Sequence, residues 1–84
     1  METIFTFTGE GGKKFSCSIP DTLLVNEKNI PSRILDAHRI QDQAPAKIVA
    51  NQNQRIESLF RAWLAGKGQM TWKHHPLKFV EVKE

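Results

Sequence analysis

The stretch from Ala44 to Gly66, APAKIVANQNQRIESLFRAWLAG, limits what this chain can fold into more than any other. Stepping along it by three and four meets Ala46, Val49, Asn53, Ile56, Phe60 and Trp63, with Ile48, Leu59 and Leu64 widening the stripe. A helix brings those positions to one face and turns Lys47, Asn51, Gln54, Glu57, Ser58 and Arg61 away. Pro45 suits the first turn, where its missing N–H has no helical partner, and Asp42 can cap the free amides. Gly66 can take the left-handed conformation that ends a helix, and Gly68 opposes continuation. The spacing predicts a helix over 44–65 of about six turns.

Asn53 falls inside that apolar stripe, between Val49 and Ile56. A polar side chain there costs stability unless it is paired, and in helix pairs it sets register and partner number. One reading is a homodimer seam between two copies of the helix. The favoured one bonds Asn53 to a loop or sheet edge of its own chain, because the sheet also needs this face covered. The amide run Asn51–Gln54 could read adenine edges in a major groove, and it is equally the composition of a solvated helix surface.

Before the helix, Thr3–Thr8 alternates so that Phe5 and Phe7 share a face opposite Thr6 and Thr8, the pattern of a half-buried strand. Lys14–Ile19 alternates again, with Phe15, Cys17 and Ile19 opposed to Lys14, Ser16 and Ser18. Gly9–Glu10–Gly11–Gly12 lies between them, so 3–19 reads as a β-hairpin. Glycines followed by Lys13 and Lys14 suggest a phosphate loop. That motif, however, needs a Ser or Thr after the lysine and a helix, and here the lysines open a strand. Leu23–Leu24–Val25 is a strand or a packed loop. Beyond Pro31, Ser32 can cap a short helix over 32–39, with Ile34, Leu35 and His38 on one side.

After the helix, Gln69–Lys73 and Leu77–Lys83 alternate around His74–His75–Pro76, which reads as a turn within a second hairpin over 69–83. Leu77 and Phe79 oppose Val80 and Val82, so this last strand has apolar residues on both faces. The expected fold is α+β: a small antiparallel sheet of two hairpins, in ββ-α-α-ββ order, covered by one long amphipathic helix, all in one domain over 1–84.

Composition narrows the function classes. Residues 1–31 carry three basic against four acidic side chains, and the remainder nine against five, giving −1 and +4 and the overall +3. A mildly basic second part suits nucleic acid or an acidic partner, but lacks dense basic clusters. The lone Cys17 excludes a disulfide framework and a cysteine-based zinc site, and points to a reducing, cytoplasmic setting. The segment METIFTFTGEGG has no basic leader or apolar run of signal length, and no stretch reaches the roughly 20 apolar residues of a membrane span. No nucleophile stands with a base and an orienting group, and no paired carboxylates suggest acid–base work. Neither a cofactor nor a metal is expected: adjacent His74 and His75 would face opposite ways on a strand, and in a turn, where they could converge, no carboxylate sits close in sequence except Glu81 and Glu84.

What remains is a surface. Trp72 with Lys73, His74 and Lys78 interleaves an aromatic ring with cations, unless Trp72 packs beneath the helix beside Trp63. The first expectation is a non-enzymatic protein-binding module that occupies a partner's surface through Arg61, Lys67, Trp72, Lys73, His74 and Lys78. Small adaptors and the accessory or inhibitor proteins of phages and plasmids have this character. The alternative is a nucleic-acid-binding regulator, using much the same residues with Arg55 added, in which cations follow phosphates and the ring stacks on bases. Either fits a monomer or a homodimer.

Overall fold

A computed structural model describes residues 1–41 and 44–83, apart from the side chain of His38. The Asp42 cap and the side shared by His38 with Ile34 and Leu35 fall outside that description. The elements are β1 (Glu2–Thr8), β2 (Lys14–Pro20), α1 (Ser32–Ile40), α2 (Pro45–Leu64), β3 (Thr71–Trp72), β4 (His75–Pro76) and β5 (Val80–Glu81). The fold is α+β, with a three-stranded antiparallel sheet in the order β1-β2-β5, a separate two-stranded sheet β3-β4, and one long helix. The chain falls into two compact units, Met1–Leu24 with Ile56–Glu84, and Val25–Arg55.

In the first unit, β1 and β2 pair without a bulge from Glu2↔Pro20 to Thr8↔Lys14. Gly11 (φ 69°) and Gly12 (φ 75°) carry the connection through left-handed backbone that a side chain would resist. The inward positions Phe7, Cys17 and Ile19 are buried with Ile56 and Phe60 of α2 and with Leu77 and Phe79. Phe60 is the centre of this core. Its ring lies 4.8 Å from Phe7, 5.4 Å from Phe79 and 5.5 Å from Phe15, centroid to centroid, within the range in which aromatic pairs attract. The helix ends in a Schellman motif: Gly66 (φ 80°) donates to the Trp63 carbonyl at 3.0 Å, and Lys67 donates to Ala62 at 3.2 Å.

One feature of the C-terminal segment differs from the sequence reading. His75 and Pro76 are not a turn but strand β4, and the turn is Lys73–His74. The Leu77 amide bonds the Met70 carbonyl at 2.9 Å, which puts Thr71↔Pro76 at a non-hydrogen-bonded pair. Proline's missing donor costs nothing there, so the strand can include it. The segment after it is covered on one face only: Leu77 and Phe79 are buried, while Val80 and Val82 are exposed.

In the second unit, Asn26 makes an Asx turn, its Oδ1 accepting from the amides of Lys28 and Asn29, each at 2.9 Å. The first α1 bonds run from Ile34 and Leu35 to the Pro31 carbonyl. Ser32 is therefore the first residue of the helix rather than its cap. Ala44 similarly accepts from Lys47 and Ile48, leaving Pro45 in the first turn as its geometry favours.

The polar residue within the buried seam of α2 is Gln52, not Asn53. Ile48, Gln52, Ile56 and Phe60 recur every fourth residue and are all buried, whereas Asn53 is exposed. Gln52 is paired at both polar atoms: its Oε1 accepts from the Val25 amide at 2.6 Å and its Nε2 donates to the Val25 carbonyl at 3.0 Å. A single side chain thus imitates a strand partner for one residue of the loop that follows the Asp21–Leu23 turn.

Candidate partner-binding surface

The β3-β4 hairpin has a turn of two residues, Lys73 (φ 48°) and His74 (φ 69°). Positive φ at both positions is what a type I′ turn demands, because its twist matches that of the strands it joins. Asn-Gly meets that demand cheaply; a lysine and a histidine do not, since the Cβ of an L-residue crowds the carbonyl oxygen. Both side chains are exposed.

Beside this tip Trp72 is half-buried, packed on the core with its Nε1–H donating to the Leu23 carbonyl at 3.0 Å. The ring is both core edge and surface. Lys73 Nζ lies 5.8 Å from its centroid, close enough for a cation–π contact. Trp72, Lys73 and His74 therefore form one knob whose base is anchored by a hydrogen bond.

The other anticipated residues are dispersed. Lys78 lines a shallow depression of about 420 Å³ with Glu2, Ser16, Ser18, His75 and Val80. Arg61 is held on α2 by Glu57 at 3.6 Å, with its guanidinium 5.5 Å from the Phe60 ring. Lys67 sits in the Schellman turn, and Arg55 belongs to the other compact unit.

A second basic locus escaped the sequence reading. Lys13 and Lys14 from the first hairpin meet Lys83 around an open depression of about 690 Å³, floored by Gly12 and Val82 and shared with Glu81. The Val82 amide donating to the Lys14 carbonyl at 2.8 Å brings Lys83 there. No local signal in the sequence joins positions almost a whole chain apart.

Cys17 is buried and its thiol is pushed above its ordinary 9.0 by desolvation, with a backbone hydrogen bond at Lys78 acting in the opposite sense. It is placed as a small core residue rather than as a nucleophile. Among the described residues no group of three His, Cys, Asp or Glu converges, and no helix is long and apolar enough to cross a membrane. Searches against protein-family models, curated proteins and solved structures return no match to this chain.

Proposed function

We propose that this chain is a non-enzymatic cytoplasmic protein-binding module that occupies a partner's surface with the Trp72–Lys73–His74 knob. The observation that carries the reading is the positive φ at two exposed, non-glycine residues. Backbone in such regions costs on the order of 1–3 kcal/mol per residue and persists where the surroundings or a function require it. Lysine and histidine contribute nothing to this turn that asparagine and glycine would not do better, so what they offer is contact chemistry: two cationic or hydrogen-bonding tips beside an anchored indole. Rigid aromatic and basic groups of this kind, held before binding, are the usual energetic centres of protein interfaces. A reducing compartment fits the one buried thiol.

The test uses Lys73→Asn with His74→Gly, which retains the turn and removes its chemistry. Immobilised wild-type chain and the double variant are compared for proteins retained from the native host. A partner held by the wild type and lost by the folded variant supports the reading. Equal retention by both would place the contact elsewhere.

Nucleic-acid binding is the second reading, favoured by the convergence of Lys13, Lys14 and Lys83. Three phosphate contacts would give a slope of log affinity against log salt of about −2.7 for duplex DNA and about −2.1 for single strands. Tryptophan-fluorescence titrations with single- and double-stranded DNA and RNA, at low and physiological salt, read that slope. Neutralising the three lysines should flatten it.

A further inference from the structure

We infer that the outer edge of β1 is a homodimer interface, in which two copies join antiparallel, β1 against β1, into one six-stranded sheet. The Gly9 amide bonds the Lys13 carbonyl at 2.7 Å, and the Asp21 amide bonds the Met1 carbonyl at 3.0 Å. Hydrogen-bonded and non-hydrogen-bonded pairs alternate along an antiparallel ladder. Thr3, Phe5 and Phe7 therefore bond β2, and Glu2, Ile4, Thr6 and Thr8 direct their N–H and C=O groups outward. β1 is the edge strand of its sheet, and all four of those residues are exposed, Ile4 to 70%.

Sheet edges of this length are ordinarily protected by lysine, proline, a bulge or a covering element. β1 has none of the first three: its sequence is ETIFTFT and its register with β2 is unbroken. Its single charge, Glu2, is turned onto its own sheet, accepting from the Ser18 hydroxyl at 2.7 Å.

The strand is also self-complementary. Two-fold pairing with positions summing to ten sets Glu2 opposite the partner's Thr8 and Ile4 opposite the partner's Thr6, so all four outward residues of each copy bond. Shifting the register by two in either direction leaves only three such positions. No like charges face one another in the favoured register. At the centre Phe5, half-buried in the single chain, meets the partner's Phe5 in a non-hydrogen-bonded pair, the closer kind. The assembly closes at two copies, because the remaining edge, β5, is only two residues long. This interface uses neither the β3-β4 tip nor Asn53, so it stands or falls independently of the function proposed above.

Sedimentation equilibrium of the full chain at micromolar and higher concentration should give twice the chain mass of 9.6 kDa. A monomer throughout would overturn the inference and leave the edge to a foreign strand. Thr6→Pro removes an outward N–H from each copy while sparing the bonds to β2, and should raise the dimer dissociation constant on the order of tenfold or more. A dimer indifferent to that change would also sink the assignment. Should Thr6→Pro fail to fold, cysteine trapping decides alone. In a Cys17→Ala background, used for both cysteine variants because Cys17 pairs with position 5 across β1 and β2, Phe5→Cys places two thiols across the axis with Cα atoms about 4.5 Å apart, a span a disulfide can bridge. Oxidation should link Phe5→Cys as a covalent dimer and leave Ile4→Cys unlinked; the reverse pattern, or no linkage at position 5, refutes the register.

Discussion

Replacing the Lys73–His74 turn by Asn-Gly should make this protein more stable. Left-handed backbone costs an L-residue about 1–2 kcal/mol, so relieving two positions returns about 2–4 kcal/mol. Against this, glycine adds unfolded-state freedom worth roughly 0.5–1 kcal/mol, and losing Lys73 from the Trp72 ring costs about 0.5–1 kcal/mol at an exposed site. The net gain expected is about 0–3 kcal/mol, centred near 1.5 kcal/mol. For a domain of this size each kcal/mol moves the thermal midpoint by about 4–8 °C. Urea unfolding followed by tryptophan fluorescence measures the gain directly, provided the m-value is unchanged. A midpoint that falls would show that the turn stores no strain, and the assignment of Lys73 and His74 to contact would go with it. A gain accompanied by loss of partner retention is the stability–function exchange expected of a built recognition tip.

Three further perturbations probe the aromatic core, the seam of α2 and the buried thiol. Phe60→Ala empties the centre of the aromatic core and should cost about 3–5 kcal/mol, a large share of the about 5–15 kcal/mol that holds a native domain, so the urea midpoint followed by circular dichroism should fall steeply. Gln52→Leu keeps the seam of α2 apolar but strips Val25 of both partners; a cost of about 1–3 kcal/mol and faster exchange of the Val25 amide are expected, whereas Asn53→Leu should leave both nearly unchanged. Because burial raises the Cys17 thiol above its ordinary 9.0, the folded state holds that proton more tightly than the unfolded state does. Stability is then retained below about pH 9 and falls as pH rises beyond it, a loss that Cys17→Ala should remove when urea midpoints are compared across that range.

Much of the architecture is written locally. The 3.6-residue recurrence of Val49, Ile56, Phe60 and Trp63, with Pro45 at one end and Gly66 at the other, needs no tertiary information to specify α2. Period-two alternation in Thr3–Thr8 and Lys14–Ile19 around a glycine-rich loop does the same for the first hairpin, since register over so short a connection is set by the loop itself.

Other features depend on partners distant in the chain. Gln52 and Asn53 flank the same stripe, and periodicity cannot choose between them; the choice falls to whichever can reach a backbone needing both a donor and an acceptor, and Val25 lies within reach of Gln52. Histidine and proline side by side read as a turn until the bond from Leu77 to Met70 fixes the register and moves the turn back to Lys73–His74. Lys83 joins Lys13 and Lys14 because β5 pairs with β2, a contact whose loop-closure entropy is recovered only when the whole core assembles. Local preference is encoded residue by residue and survives inspection of a short window. Polar satisfaction and strand order are settled by burial, which acts on the folded chain as a whole.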